Sequence, residues 1–509
     1  MRGIWAAGDL AHWNNATFGS VMRLENWTSA ADQGIQAGKN AAHPAQQQTY
    51  TTVPYFWSDW YGQRIQFVGT AVAESVEFIS GGPDADRFIA VYSTGGRLVG
   101  AATLDERRAI MKLRRHIDQG EASTRYRRSF QLRNLQHKRR KKRKMSTTTT
   151  AAVLRDPESV FTLEDVRLDD IGPTEVLVRI VGVGFCHTDV IPRDLAAYAL
   201  PAILGHEGSG IVVEVGSDVT EIQPGDHVVL SFAFCGECQH CRAGHPAYCV
   251  NFMALNMSAR NLDGSSSAID ADGAPLGNRW FGQSSFAHHA IVDQRGVVRV
   301  DPDLPLELMG PLGCGIQTGA GAVLRVMNVQ PGQSVVIFGA GAVGLAAIMA
   351  AKVAGAGDIV AVDVHQNRLD LASEFGATRV VLANDPDADD AILNGSLGLD
   401  YALDTTGVED VMSLATTVVG VGGMIVLVGA SMAGFSVHPT QLTGKTVTYI
   451  LEGDADPHEF IPELIAQWKA GRFPFDRLIS TFPFEQINEA EVASKSGQAI
   501  KPVLIVSEQ

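Results

Sequence analysis

Residues 334–363 read SVVIFGAGAVGLAAIMAAKVAGAGDIVAVD. The run 335–338 is apolar without alternation, as a strand buried on both faces requires. Gly339, Gly341 and Gly344 follow as GxGxxG, an apolar helical stretch comes next, and residues 359–362 form a second apolar run closed by Asp363. Strand, glycine turn, helix and strand in this order predict a parallel βαβ unit rather than an unrelated glycine-rich turn. The glycines permit a tight turn and let a pyrophosphate approach the helix N-terminus, where free N–H groups bind anions. Asp363 stands 19 residues after Gly344. A carboxylate there accepts hydrogen bonds from the adenosine ribose hydroxyls and repels a 2′-phosphate, which predicts NAD over NADP. His365 and Arg368 flank it as cofactor-side residues that soften this preference.

Working outward, residues 401–404 and 424–428 read as further strands of the same sheet. Upstream, short β-rich stretches such as 174–183 and 210–215 alternate with turns. From residue 146 onward the chain is therefore α/β, a β-rich domain followed by a doubly wound parallel sheet. With 509 residues there is room for about three domains of roughly 150 residues each.

All six cysteines fall after residue 145. Cys235, Cys238, Cys241 and Cys249 lie in CGECQHCRAGHPAYC, with gaps of two, two and seven residues. Four thiolates this close oxidise or take up metal, and they suffice for a closed tetrahedral structural zinc site. Cys186 and Cys314 are isolated, and Gly205-His206-Glu207 stands between them in sequence. Taken singly, each reads as a buried core residue. Together, two thiolates and one imidazole make a three-ligand site with an open fourth position, the catalytic arrangement of zinc. No cysteine is left for a disulfide, and the N-terminus MRGIWAAGDLAHWNN has no apolar secretory segment, so a cytoplasmic setting is expected. The most apolar run, 334–362, is interrupted by glycines and Asp358, so no membrane span is read there.

The net charge of −15 is unevenly spread. Residues 1–145 hold 22 Lys and Arg against 12 Asp and Glu, or +10; residues 146–509 hold 19 against 44, or −25. The acidic part is not expected to bind nucleic acid through a diffuse basic surface. Residues 119–145 read as a basic disordered linker ending in KRRKKRK (138–144) and Met145. Beside the linker reading stand a nucleic-acid patch and a third, preferred one. Purine-rich codons encode mainly Lys, Arg, Glu and Gly, so a translated ribosome-binding site looks like this run, with Met145 the true start and residues 1–144 joined by gene fusion.

Residues 1–118 have their own character. Residues 64–71 and 87–92 read as strands, Gly95-Gly96 as a turn, and the stretch with Arg107, Arg108, Lys112, Arg114 and Arg115 as a helix. Gly3-Ile4-Trp5-Ala6-Ala7-Gly8-Asp9, Glu25-Asn26-Trp27-Thr28 and Val53-Pro54-Tyr55-Phe56-Trp57-Ser58-Asp59 resemble the C-terminal third of the flavin-containing ferredoxin reductases. This implies an incomplete α+β reductase fragment. In that family a GxGxxG lies far upstream of the Gly-Asp pair and holds the ADP half of FAD; only two residues precede Gly3, so FAD is not expected. A flavin electron-transfer fusion is the alternative of another class.

Cys186-His187-Thr188-Asp189, Gly205-His206-Glu207-Gly208 and Gly313-Cys314-Gly315, with the cysteine loop and the glycine motif, resemble the zinc-dependent medium-chain alcohol dehydrogenases over essentially all of residues 146–509. The resemblance implies a GroES-like irregular β-barrel catalytic domain of residues 146–315 and 452–509, a Rossmann domain of residues 316–451, NAD, two zinc ions per chain, and a homodimer or homotetramer. It implies Cys186, His206 and Cys314 as catalytic zinc ligands, Thr188 as acceptor of the alcohol proton, and Asp189 as the group that orients His206. Glu207 becomes a transient or outer group beside the metal, and Lys501 a partner of the cofactor phosphates. Better-known members carry a histidine two residues after the aspartate of the first motif; Ile191 stands there and cannot carry a proton. Either His187 takes over the relay, or ribose and water complete it and His187 contacts the cofactor phosphate. Ile450-Leu451-Glu452-Gly453-Asp454 with Phe460-Ile461-Pro462 resembles the aryl-alcohol (benzyl-alcohol) branch. That implies aryl or allylic primary alcohols oxidised reversibly to aldehydes. The rival enzyme is a glutathione-dependent formaldehyde or short aliphatic alcohol dehydrogenase.

Overall fold

The computed structural model describes residues 5–25, 27–60, 63–83, 85, 87–104, 106–120, 147–194, 200–429 and 434–508. The basic run and Met145 lie outside these residues, as do Gly3, Ile4 and Asn26 of the reductase-like motifs. The chain divides into two compact units, residues 1–143 and 144–509. No helix among the described residues is long and apolar enough to cross a membrane.

In the second unit, six parallel strands among the described residues stand in the order Arg379–Leu382, Asp358–Asp363, Ser334–Phe338, Leu399–Asp404, Val419–Leu427, Thr446–Tyr449. Counted along the chain this is the order 3-2-1-4-5-6 of a doubly wound sheet, whose ligand crevice lies outside the carboxyl ends where the winding reverses. Four of the five residues of Ser334–Phe338 are buried, which is why the run shows no alternation. The helix Ala342–Ala354 follows, and its residues Gly344 to Ala351 are all buried, so it is apolar all round. A Cβ at Gly344 would run into the Gly339 carbonyl; only glycine lets helix and strand approach this closely.

The β-rich part is organised around Glu175–Gly184, which pairs antiparallel with Glu207–Val215, His289–Asp293 and Lys501–Ile505. His227–Leu230 and Val297–Val300 extend this sheet on one side and Ile479–Pro483 on the other. Register shifts at Leu177/Val178 and Ile180/Gly182 bend the central strand, which accounts for the irregular curvature. A second sheet runs Ala202–Ile203, Thr147–Leu154, Thr162–Leu168, Ala268–Ile269, Pro275–Leu276. Three rings fill the core here: Phe286 stacks on Phe185 at 5.6 Å and meets Phe161 edge-on at 5.6 Å.

The first unit has a core of its own. Five antiparallel strands stand in the order Tyr55–Trp60, Gln63–Gly69, Arg97–Leu104, Phe88–Thr94, Ser75–Ser80 among the described residues. The helix Arg107–Asp118 buries Ile110, Leu113 and Ile117, spaced at i, i+3 and i+7, against Val68, Ile89, Val91 and Ala101.

The aromatic cluster supplies a stability test. Phe286→Ala removes a fully buried ring and is expected to destabilise the second unit by about 3–5 kcal/mol in equilibrium denaturation. A loss under about 1 kcal/mol would show that the ring cluster does not hold the two sheets together.

Candidate functional site

The antiparallel ladder of the central strand ends at the pair Gly184↔Glu207. Cys186 lies just beyond one end of that pair and His206 just before the other, so strand pairing alone brings the two together. Cys314 arrives from the short turn Gly310–Gly313 at the start of the helix Gly315–Gly321. One donor atom each from Cys186, His206, Glu207 and Cys314 lie within 4.8 Å of one another.

Asp189 fixes the histidine. His206 Nδ1–H donates to Asp189 Oδ1 at 2.6 Å, and the backbone N–H of Gly205, the backbone N–H of Cys186 and the indole N–H of Trp280 also donate to that carboxylate. Burial works against a charge on His206, but Asp189's charge and hydrogen bond outweigh it and raise the ring's basicity. Phe281 stacks on the imidazole at 4.3 Å. His206 Nε2 is buried and has no hydrogen-bond partner among the described residues. The hydrogen bond between the two thiols holds Cys186 well below the usual thiol range, while that bond and burial push Cys314 well above it. A pair that retains one proton between two sulfurs is what a divalent cation would discharge, holding both as thiolates. An orphaned imidazole nitrogen beside such a pair fits zinc. Thr188 Oγ1 lies 3.7 Å from Cys186 Sγ. Thr188 is half-buried and His187 is exposed.

The four-cysteine loop gathers its sulfurs in the same way, all within 4.8 Å of one another. Cys238 and Cys241 sulfurs stand 3.4 Å apart. Backbone N–H groups of Cys235 and Asn251 donate to Cys249 and that of Cys238 donates to Cys235, over 3.3 to 3.4 Å. Backbone N–H groups bring Cys238 down to about 6, while burial pushes Cys241 up to about 12. This donor set also fits zinc, with no open position.

At the carboxyl end of the parallel sheet, Asp363 is held by two backbone donors, Ala340 N–H at 2.7 Å and His365 N–H at 2.9 Å. Among the described residues, nothing lies within 4 Å of where a Cβ at Gly341 would stand. Arg368 brings a guanidinium nitrogen to 3.8 Å from Asp363, and its buried Nε has no partner among the described residues. The loop and Asp363 therefore form one cradle that fits a dinucleotide, with a cation beside the carboxylate.

Lys501 has a partner inside the protein. The resemblance assigned it to the cofactor phosphates, but its ammonium is buried and lies 2.9 Å from both carboxylate oxygens of Glu207. The strand Lys501–Ile505 pairs with the central strand at Gly184↔Val503, which delivers Lys501 to Glu207 beside the cysteine pair. Glu207 keeps Lys501 charged against the cost of burial.

Sequence reasoning missed Trp280, Phe281 and Gln283. Gln283 receives the Gly208 N–H and donates to the His206 carbonyl. These residues lie more than 70 positions from His206 and form no motif. The available signal was Trp280 itself, because a buried indole N–H needs an acceptor. Gln317 and Ser231 form a further chain behind Cys314: Gln317 Nε2 donates to Ser231 Oγ at 3.0 Å, and Ser231 donates to the Gly313 carbonyl at 2.7 Å.

Residues 172–302 match the alcohol dehydrogenase GroES-like domain, residues 342–467 the zinc-binding dehydrogenase family, and residues 55–135 the reductase C-terminal family. Geraniol dehydrogenase of Castellaniella defragrans is 45% identical over 365 residues, covering 70% of this chain and 97% of that protein. The crystal structure of benzyl alcohol dehydrogenase from Acinetobacter calcoaceticus is similar with a TM-score of 0.68 and 42% identity, covering 71% of this chain and all of that one. S-(hydroxymethyl)glutathione dehydrogenase of Escherichia coli is 35% identical over 355 residues, covering 67% of this chain and 96% of that protein. With the buried donor cluster, the glycine cradle and these similarities together, the chain belongs to the NAD-linked, zinc-dependent medium-chain alcohol dehydrogenases.

Proposed function

We propose that the chain oxidises aryl or allylic primary alcohols to aldehydes with NAD, reversibly, using one zinc on Cys186, His206 and Cys314 and a second on Cys235, Cys238, Cys241 and Cys249. The observation that carries this reading is the buried donor cluster with His206 Nε2 unpartnered. The catalytic domain comprises residues 146–315 and 452–509 around a nucleotide domain of residues 316–451. The substrate class is supported by the geraniol and benzyl alcohol dehydrogenases, 45% and 42% identical, against 35% for the glutathione-linked enzyme. Free thiols support a cytoplasmic setting, and the family a homodimer or homotetramer.

Bound zinc supplies Lewis acidity toward an alcohol hydroxyl, and bound NAD supplies the hydride acceptor. The chain's own residues do the rest. Asp189 holds Nδ1 of His206 and so leaves Nε2 as the nitrogen that would bind the metal beside the two sulfurs. Thr188 Oγ1, beside Cys186, takes the hydroxyl proton and passes it outward. Ile191 blocks the next step of the usual relay, and either exposed His187 or ribose and water finishes it. Asp363 receives the adenosine ribose, and Lys501 balances the charge of Glu207 behind the reacting centre.

The full-length protein is expected to contain two zinc ions per chain and to turn over benzyl alcohol or geraniol with NAD far better than ethanol or S-(hydroxymethyl)glutathione; preference for the last two would overturn the substrate assignment. Thr188→Val is expected to lower kcat about 100-fold or more with zinc content unchanged. Asp363→Ser should shift the NADP-to-NAD ratio of kcat/KM upward by about tenfold, since a like-charge contact is removed; an unmoved ratio would remove Asp363 from cofactor selection. If His187 carries the proton, His187→Gln moves the pH–rate profile of alcohol oxidation, and an unmoved profile assigns the outer relay to ribose and water.

A further inference from the structure

Glu452, Gly453 and Asp454 leave the last strand of the parallel sheet with three consecutive left-handed residues, at φ 52°, 68° and 49°. Glycine adopts this conformation freely, but a non-glycine residue does so only when its surroundings hold it there. Gly453 is required in addition by close packing, since a Cβ there would stand 2.5 Å from the Gln317 carbonyl oxygen and 2.9 Å from Gly321 Cα. Two side chains hold the flanks. Glu452 is buried, and its carboxylate accepts from Gln317 Nε2 at 3.0 Å. Gln317 lies one helical turn after Cys314 and reaches the Gly313 carbonyl both directly, at 2.7 Å, and through Ser231. On the other side, Asp454 accepts from His245 Nδ1 at 2.9 Å, and His245 lies inside the four-cysteine loop between Cys241 and Cys249. A second tie reinforces the first: His458 Nε2 lies 2.8 Å from the Arg295 carbonyl, and the Arg295 guanidinium donates to the Cys235 carbonyl.

We propose that Glu452 and Asp454 are positioning residues, and that the strained turn they flank is a strap tying the Cys314 helix to the four-cysteine lobe. Through Gln317 and Ser231, Glu452 sets where the Gly313 carbonyl stands and with it the Cys314 sulfur. Through His245, the four-cysteine lobe anchors the far end of the strap. The lobe's order thus reaches the reacting centre mechanically, without sharing a ligand with it. The inference rests on the reading that Cys186, His206 and Cys314 hold zinc.

The test uses the full-length zinc protein and its cobalt-substituted form. Glu452→Leu removes the bond and keeps bulk, and Glu452→Gln keeps an acceptor for Gln317. His245→Ala removes the anchor, and His245→Asn keeps a donor near the Nδ1 position. Glu452→Leu and His245→Ala are each expected to speed loss of the catalytic zinc to a chelator by about tenfold. Both should also shift the cobalt absorption band that responds to imidazole, which marks the site with an open position. Glu452→Gln and His245→Asn should stay close to the parent in both readouts. An unchanged band and release rate in Glu452→Leu and His245→Ala, with two zinc ions in the parent, would overturn the strap alone. A parent that binds only one zinc would overturn the metal reading and the strap with it. If Glu452→Leu fails to fold, the His245 pair decides the matter by the same two readouts.

Discussion

The carboxylate of Asp189 is fully buried, and a buried charge persists only when it is hydrogen-bonded on all sides. Its donors come from three separate places in the chain: the Cys186 turn, the Gly205-His206 turn and the Trp280 loop. One anion therefore fastens together segments that the β-ladder has only brought near. The strand pair Gly184↔Glu207 supplies the approach, and Asp189 converts it into a fixed orientation of the imidazole. Removing that charge would leave four donors, the histidine ring among them, without an organising partner, so Asp189 is a structural residue as well as a neighbour of the donor cluster.

The contrast between what could and could not be seen in the sequence follows from chain distance. The cysteine loop and GxGxxG are local: their spacing alone determines which atoms meet, and the structure brings each set together. The trio Cys186, His206 and Cys314 spans more than 120 residues, and only the type of residue, joined with a family resemblance, suggested that it converges. Trp280, Phe281, Gln283, Gln317 and Glu452 were not legible as site residues, because ordinary residue types acquire these roles only through tertiary placement. Lys501 shows the same limit from the other side. The sequence displays a cation at the expected place but not its partner, and the register of a buried strand gave it to Glu207.

The first unit is organised on different terms. Its sheet buries one face against the helix Arg107–Asp118, with a core of aliphatic side chains separate from those of the dehydrogenase part. Its match to the reductase C-terminal family spans residues 55–135 and so takes in the motif around Tyr55 but not those at Gly3 and Trp27. All six cysteines, and every donor of both candidate zinc sites, belong to the second unit. The unit that carries the reductase-like signature thus contributes none of the donors of either candidate zinc site.

Asp363 is bound on both oxygens by the backbone before any nucleotide arrives, once from the glycine loop at Ala340 and once from the turn at His365. It is thus a fastener for the loop, beside the ribose role proposed for it. A lineage drifting toward the phosphorylated cofactor could not trade this residue away at one step without loosening the turn that receives the pyrophosphate. Arg368, already 3.8 Å from the carboxylate, supplies half of such a change in advance. The other half is a neutral side chain that still caps both backbone donors, so a change of cofactor would have to satisfy hydrogen-bond geometry as well as charge.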